Sequence, residues 1–241
     1  MSMAPRILSI RVGQPRERGS LAASDPMERP WTSAIAKHPV SGPRWVSRTN
    51  IEVDRQADTK HHGGPDKAVL AYAAEHYPGW RKDLPGVELE FGAFGENLTI
   101  DGASEWDVSI GDVWRAGTAL FQVTQPRQPC WKLARHLRVP DMVARVQESL
   151  RSGWYLRVLE EGEIRAGDTF SLVSRQHPTW TVAEASRLMY EGGADAARLL
   201  ELADLPELSA SWKHTLHVRA SGGIVDTSAR RLGTPVSDSP E

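Results

Sequence analysis

A short polar stretch at residues 59–68, TKHHGGPDKA, combines residue types that suit an anion-binding site. Gly63 and Gly64 let the backbone approach a ligand closely and present its amides. Further donors come from the side chains of Lys60, His61, His62 and Lys67. The segment therefore favours a phosphate-like anion, although a tight turn capped by Asp66 explains the same pattern. Two adjacent histidines cannot easily face one metal ion, so a zinc site is not expected here.

A second segment at residues 94–99, FGENLT, places Glu96 and Asn97 after a glycine, at the entrance to a predicted strand. A glycine before this pair at a strand entrance could present a carboxylate and an amide into a pocket. Ordinary turn chemistry explains the segment equally well. The two residues are therefore candidates whose role depends on what else lies near them.

The single cysteine, Cys130, lies in a third segment at residues 124–133, TQPRQPCWKL. It opens a helix predicted at Trp131–Leu137, and Arg127 and Lys132 flank it. A helix N-terminus and nearby cations favour the thiolate, which is the form that binds a soft metal. A lone cysteine also occurs as a small buried hydrophobe. A cysteine hydrolase would need a histidine base and an orienting group, and no local signature of that kind surrounds Cys130.

The elements that must position these segments are mostly short strands within residues 1–177. Apolar and alternating runs bounded by Gly, Asp and Pro predict strands at Arg6–Val12, 87–91, 97–100, 112–115, 120–124, 155–159 and 168–173. Apolar spacing predicts helices near residues 68–84, 131–137 and 140–151. Residues 13–50 are rich in Gly, Pro, Ser and Arg, which is typical of loops. Many short strands with few long helices favour a β-barrel or sandwich.

The pattern becomes helical after residue 177. Thr181 and Glu184 form a capping box at the start of one predicted helix, and helices at 194–203 and 209–218 follow. We therefore predict a β domain at 1–177 and a three-helix module at 178–219. Residues 220–241 contain few large apolar groups and are predicted to be a disordered tail.

Composition excludes several classes of protein. The 241 residues carry 29 Lys+Arg and 31 Asp+Glu, a net charge of −2, which argues against nucleic-acid coating or polybasic membrane binding. The sequence shows no apolar run of membrane-span length and no apolar secretory signal near Met1. One cysteine excludes an internal disulfide. We therefore expect a cytoplasmic protein, either a monomer or a homodimer.

Four segments in this order resemble the MOSC domain family, which is named after the C-terminal domain of molybdenum cofactor sulfurases. They are HHGGPDKAVLAY, FGENLTIDG, IGDVWRAGTALFQVTQPRQPCWKLA and GEIRAGDTFSLV. The helical stretch at residues 178–218 resembles the three-helix extension of the stand-alone bacterial, YiiM-type branch. The resemblance covers about residues 5–218. It implies a mainly β fold, a MOSC β-barrel with flanking helices, followed by a small C-terminal three-helix module.

The resemblance also implies a molybdenum cofactor, Mo-molybdopterin, with Cys130 as the protein ligand of the metal. The implied activity is detoxifying reduction of N-hydroxylated compounds: hydroxylaminopurine-type base analogues, hydroxylamines and amidoximes. Mo(IV) would accept the oxygen of the N–OH group. On the same basis Cys130, Glu96 and Asn97 are catalytic candidates. The implied cofactor-binding residues are His61, His62, Gly63, Gly64, Asp66, Lys67, Gln125, Arg127 and Lys132.

The sequence contains no flavin, haem or iron–sulfur pattern, so electrons are expected from a separate reductase or small redox protein. The three-helix module could dock that partner, or could be a folding cap on the β domain. We expect a small-molecule substrate, and neither nucleic acid nor membrane as a partner. Two other functions fit the same residues: a non-catalytic carrier of the cofactor or of persulfide sulfur on Cys130, and a metal-free barrel that binds a small phosphorylated ligand.

Overall fold

The structure is a computed structural model that describes residues 4–58 and 63–232. The strands, numbered β1 to β12 in chain order, are Arg6–Val12, Arg16–Arg18, Trp31–Ser33, His38–Pro39, Arg44–Val46, Val69–Ala73, Leu98–Asp101, Val113–Ala116, Ala119–Pro126, Trp154–Glu160, Gly162–Ile164 and Ser171–Ser174. The helices α1 to α7 are His76–Asp83, Trp131–Leu137, Met142–Ser149, Val182–Tyr190, Ala196–Ala203, Ala210–Ala220 and Ser228–Leu232. Short 3-10 helices lie at Pro26–Glu28 and Pro65–Lys67.

Eight strands form one sheet in the order β12-β8-β9-β10-β6-β7-β1-β4. Neighbouring strands are antiparallel except for β6 and β7, which are parallel. The described strands do not close into a continuous ladder, so the barrel is not closed by strand pairing. Backbone bonds nevertheless join β1 to the residues before β12: Ile7 N donates to Asp168 O at 2.9 Å, and Phe170 N donates to Pro5 O at 2.7 Å. The expected fold class, mainly β with flanking helices and a small C-terminal helical module, is confirmed, but the sheet is not the closed barrel that the resemblance implied.

Most predicted elements are present, and the exceptions have a physical cause. The helix predicted at 68–84 is instead β6 followed by α1, because the apolar run of β6 is buried at all five positions and has no polar face to reveal its period. Residues 87–91 are not a strand. The guanidinium of Arg81 donates to the carbonyl oxygen of Leu89 at 2.8 Å. This backbone oxygen is therefore bonded to a side chain and not to a neighbouring strand. The expected loop at 13–50 contains β2 to β5.

The C-terminal helices begin where the capping residues predict. Thr181 Oγ1 accepts from Glu184 N at 3.1 Å at the start of α4, and Ser209 caps α6. The predicted helix Trp131–Leu137 is α2 with the same bounds. The tail predicted to be disordered from residue 220 is partly ordered, because it contains α7. None of the helices in the described residues is both long and apolar enough to cross a membrane.

The main hydrophobic core continues from the sheet into the helical module. Ile7, Phe121 and Leu156 of the sheet belong to the same buried cluster as Leu202 and Trp212 of the module. This continuity favours a folding cap as one role of the module. A second cluster lies under α1, α2 and α3, and the stacked rings of Tyr72 and Phe94, 4.6 Å apart, lie within it.

Candidate functional site

A pocket with about 670 Å³ of empty space, part of it open to solvent, lies where four stretches of chain meet. Its wall is formed by parts of residues 33–37, 55–58, 94–97 and 127–132. Gly63, Lys67, Leu70 and Tyr155 complete it. The structure therefore brings together members of all three segments that the sequence singles out.

Cys130 is on the wall of this pocket and is 7% exposed. Its backbone is extended (φ −127°, ψ 165°) and its carbonyl oxygen accepts from Leu133 N at 2.9 Å, which makes it the N-cap of α2. Its side chain makes no capping hydrogen bond, so the thiol is not used to start the helix. It is a free thiol at the N-terminus of a helix, in a largely enclosed site.

Cationic side chains surround the thiol. Arg127 is 5% exposed, and its Nη2 donates to the carbonyl oxygen of Phe94 at 3.3 Å. Its Nη1 is buried and has no hydrogen-bond partner among the described residues. Lys67, Lys132 and Arg55 line the same pocket, and burial lowers the pKa of Lys67. A buried donor without an acceptor is costly, so Arg127 indicates that an anionic ligand fits here.

Tyr155 adds a hydroxyl group to the pocket wall. Burial raises the pKa of Tyr155 to about 12, while Arg127 acts in the opposite direction. The hydroxyl is therefore protonated at neutral pH and can donate a hydrogen bond to a ligand.

A buried ion pair supports the opposite wall. Lys37 Nζ donates to Asp54 Oδ1 at 2.5 Å, and Asp54 also accepts from Gly13 N at 2.6 Å. Burial lowers the pKa of Lys37, and Asp54 opposes that shift. Val53 precedes this carboxylate with a left-handed φ of 62°. Such a conformation is unusual for a β-branched residue and is held by the surrounding bonds.

Asn97 lies on the pocket wall, but its amide is occupied by the protein itself. Its Oδ1 accepts from Leu70 N at 3.2 Å, and its Nδ2 donates to Arg11 O at 3.1 Å and to Asp54 Oδ2 at 3.0 Å. Asn97 therefore fixes β1, β6 and Asp54 relative to one another. Both donations of the Asn97 amide are made within the protein, and the catalytic role that the resemblance implies stays a prediction.

Glu96 is not among the residues that line the pocket, and its catalytic role stays a prediction. It is fully buried and accepts from Gly92 N at 2.6 Å, Phe94 N at 3.2 Å, Thr99 Oγ1 at 3.1 Å and the hydroxyl of Tyr77. These bonds shape the turn that presents Phe94 to the pocket. Because neighbouring backbone amides donate to both carboxylate oxygens, Glu96 has a structural role in this turn.

Two predicted cofactor ligands also lie outside the pocket wall. Asp66 accepts from Arg157 Nε at 3.0 Å and from its Nη2 at 2.6 Å, and Ala210 N approaches Asp66 at 3.4 Å. Gln125 accepts from Ser211 Oγ at 3.4 Å and donates to Pro126 O at 3.2 Å. Both side chains therefore join the sheet to α6.

The remaining predicted residues divide as follows. Gly63 lines the pocket with a φ of +94°, and a Cβ there would approach the side chain of Gln56 to 3.3 Å. Gly64 is not part of the pocket wall. His61 and His62 lie outside the described residues, as does Lys60.

Comparison with known proteins agrees with this geometry. Residues 58–171 match the MOSC domain, and residues 180–221 match the YiiM-like, 3-alpha helix domain. Protein YiiM of Escherichia coli is 39% identical over 202 residues, which cover 83% of this chain and 90% of that protein. The chain belongs to the MOSC domain family. Its C-terminal helices are those of the YiiM-type branch.

Other relatives extend the comparison. YflK of Bacillus subtilis is 41% identical over 210 residues, covering 86% of this MOSC chain and 90% of that protein. A protein of Gibberella moniliformis named "Reductase" is 36% identical over 203 residues, 83% of this chain but only 35% of that protein. The crystal structure of YiiM from Geobacillus stearothermophilus superposes with a TM-score of 0.74 at 38% identity, covering 90% of this chain and 99% of that one.

Sequence reasoning missed the part of the pocket that precedes the MOSC match. Lys37 and Arg55 line the pocket, Asp54 pairs with Lys37, and all three come before residue 58. Lys37 lies in the stretch 13–50 that composition assigned to loops. Their only signal was the presence of cations and a carboxylate among apolar residues. Tyr155 was assigned to a strand without a site role, because a strand pattern does not show what its side chains face.

Proposed function

We propose that this MOSC protein is a molybdenum-cofactor-dependent reductase of N-hydroxylated compounds. The observation that carries the proposal is a free, pocket-lining Cys130 in the same pocket as a buried arginine, Arg127, whose Nη1 meets no acceptor within residues 4–58 and 63–232. Membership of the MOSC family and a relative named a reductase support it. Among the described residues, no three His, Cys, Asp or Glu side chains cluster as a metal site. A pocket with one thiol and several cationic side chains suits a metal whose other ligands are anionic groups of a bound cofactor.

The residues present fit that cofactor. A thiolate is a suitable ligand for a soft metal centre, so Cys130 would bind the molybdenum. Arg127, Lys67 and Lys132 would contact anionic groups, and Gly63 leaves room for close approach of the backbone. When bound, the cofactor supplies two-electron redox chemistry that these side chains lack.

The overall reaction is R–NHOH + 2 H⁺ + 2 e⁻ → R–NH₂ + H₂O. The nitrogen is reduced, the N–O bond breaks, and the oxygen leaves as water. Tyr155, protonated at neutral pH, would donate a hydrogen bond to the substrate oxygen from the pocket wall. Arg127 would supply a fixed positive charge beside the reacting groups.

Electrons would come from a separate reductase or small redox protein. The named reductase from Gibberella moniliformis is much longer than the segment it shares with this chain. The identity of the donor and the oligomeric state stay predictions, as does cytoplasmic location.

Metal content tests the proposal directly. The protein is expressed with added molybdate in a strain that makes the cofactor, and wild type, Cys130→Ala and Cys130→Ser are compared by elemental analysis. We expect near-stoichiometric molybdenum in wild type and at least a tenfold loss in both variants. Circular dichroism and thermal unfolding show whether the variants are folded.

Turnover separates an enzyme from a carrier. The wild-type protein is supplied with chemically reduced viologen and an N-hydroxylated purine, a hydroxylamine or an amidoxime. We expect amine formation that depends on Cys130. Molybdenum without turnover of any of the three would establish the carrier instead. Wild type without molybdenum would overturn the cofactor assignment.

A further inference from the structure

The short helix α7 places a charged side chain beside the pocket, although it lies beyond the segment that matches the three-helix domain. Arg230 is half-buried, and its Nη1 donates to the carbonyl oxygen of Pro129 at 3.4 Å. Pro129 immediately precedes Cys130. Arg231 and Leu232 on the same helix are exposed. The helix therefore directs one arginine inward and its neighbour outward.

Arg230 lies among groups of the same site. It is within electrostatic reach of Cys130, Tyr190 and Lys67. The hydroxyl of Tyr190 is buried beside the side chains of Arg230 and Gln147. Burial lowers the pKa of Arg230, as expected for a guanidinium removed from water.

Two guanidinium groups therefore meet at residues 127–130, because Arg127 belongs to this stretch and Arg230 donates to the carbonyl oxygen of Pro129. Tyr190 is within electrostatic reach of both Arg127 and Arg230. In the part of the chain that the structure describes, neither arginine forms an ion pair with a carboxylate. Burying like charges together is unfavourable unless an anion binds between them.

We propose that Arg230 of α7 completes a phosphate-binding subsite in the Cys130 pocket, together with Arg127. Arg127, which is 5% exposed and whose Nη1 has no hydrogen-bond partner in the described part of the chain, supplies one half of the site, and the inward face of α7 supplies the other. A phosphate group matches this arrangement because its oxygens accept paired hydrogen bonds from planar guanidinium groups. Binding would also hold α7 against the start of α2. The proposal does not require the protein to be a reductase.

The phosphate could belong to the cofactor or to a phosphorylated substrate. Both sources present the same dianionic group, so the arginines alone do not distinguish them. Cofactor-free and cofactor-loaded protein do, because the cofactor would occupy the subsite only in the loaded form.

The test uses cofactor-free, full-length protein and the only cysteine as a reporter. Cys130 is alkylated with iodoacetate, which is anionic, and with iodoacetamide, which is neutral, and mass spectrometry gives both rates. We expect Arg230→Gln to lower the iodoacetate-to-iodoacetamide rate ratio about threefold, because a nearby positive charge attracts the anionic reagent. The matched control Arg231→Gln, on the exposed face of α7, should leave the ratio unchanged.

Binding of inorganic phosphate is the second readout and does not need the thiol to react. Isothermal titration calorimetry should show saturable binding to wild type and to Arg231→Gln, with a Kd about tenfold higher for Arg230→Gln. Equal behaviour of the two variants, or no saturable binding to wild type, overturns the subsite. If the molybdenum-loaded protein no longer binds phosphate, the cofactor supplies the group. If it still binds, the ligand is a phosphorylated substrate.

Discussion

At the scale of single residues, the hydrogen-bond partners of a polar side chain show whether it has a structural role or is available to a ligand. Glu96 and Cys130 both lie in segments that resemble a functional motif. Four donors meet the carboxylate of Glu96, whereas the thiol of Cys130 is left facing a pocket. A polar group whose hydrogen bonds are complete within the protein has little left to offer a ligand.

Glu96→Gln is accordingly predicted to affect stability rather than cofactor binding. In this variant an NH₂ group replaces a carboxylate oxygen that accepts hydrogen bonds, so donors would face a donor. The free energy of unfolding should therefore fall by about 2–4 kcal/mol. Chemical denaturation measures this fall, and Glu90→Gln on the exposed surface should change it by less than about 0.5 kcal/mol. The molybdenum content of the folded fraction should match that of wild type. Loss of molybdenum with an unchanged free energy of unfolding would instead assign Glu96 to the cofactor-binding site.

At the scale of elements, α2 connects the pocket to the ribbon formed by β2 and β3. The rings of Trp31 and Trp131 are 5.9 Å apart, and Arg135 Nη1 donates to Arg29 O at 3.1 Å. His136 of α2 is close enough to Arg18 of β2 to be affected by its charge, and its Nδ1 is buried without a hydrogen-bond partner among the described residues. The helix that carries Cys130 is therefore held by a contact that is sensitive to protonation.

His136 predicts how this contact responds to acid. Burial, and secondarily the charge of Arg18, lowers the pKa of His136 to about 4. The unfolded chain, with a histidine pKa of about 6.5, therefore binds the proton first as the pH falls. Stability from the neutral ring is present above pH 6.5 and is lost as the pH approaches 4. We expect about 1.5 kcal/mol to be lost between pH 7 and pH 5.

Urea unfolding at several pH values measures this loss. His136→Gln should remove most of the pH-dependent part, because glutamine does not titrate. The matched change His214→Gln, on the exposed side of α6, should preserve it. An unchanged slope in His136→Gln would assign the acid sensitivity to other groups.

At the scale of the whole molecule, the sheet and the three-helix module unfold together if they share one core. Leu202 on α5 is fully buried in the cluster that contains the sheet residues, whereas Leu200 on the same helix is 40% exposed. Asp66 and Arg157 add a polar link between the sheet and α6.

Leu202→Ala should therefore destabilise the entire chain by about 2–5 kcal/mol through the cavity it creates. The expected signature is a lower Tm at which circular dichroism and the accessibility of Cys130 change together. Leu200→Ala is the matched control and should cost less than about 0.5 kcal/mol. Separate transitions for the helices and for Cys130 would show two independent folding units.

The sequence by itself determined the local elements and the centre of the site. Alternation located β1, β8, β9 and β10, and the capping residue Thr181 located the start of α4, since these signals depend on neighbours in sequence. The types and spacing of Gly63, Lys67, Arg127 and Cys130 made them candidates, the resemblance to the MOSC family implied a shared site, and all four line the pocket.

Only the tertiary structure decided which polar groups have hydrogen-bond partners within the protein. Asp54 meets Gly13 from 41 positions away, and Asp66 meets Arg157 from 91 positions away. The apolar run of β6 became a strand because β7 and β10 cover it on both sides. Arg230 reached Pro129 from a tail that composition assigned to disorder. Local sequence encodes which face of an element is buried, but the partner that meets each polar atom is chosen by packing of distant segments.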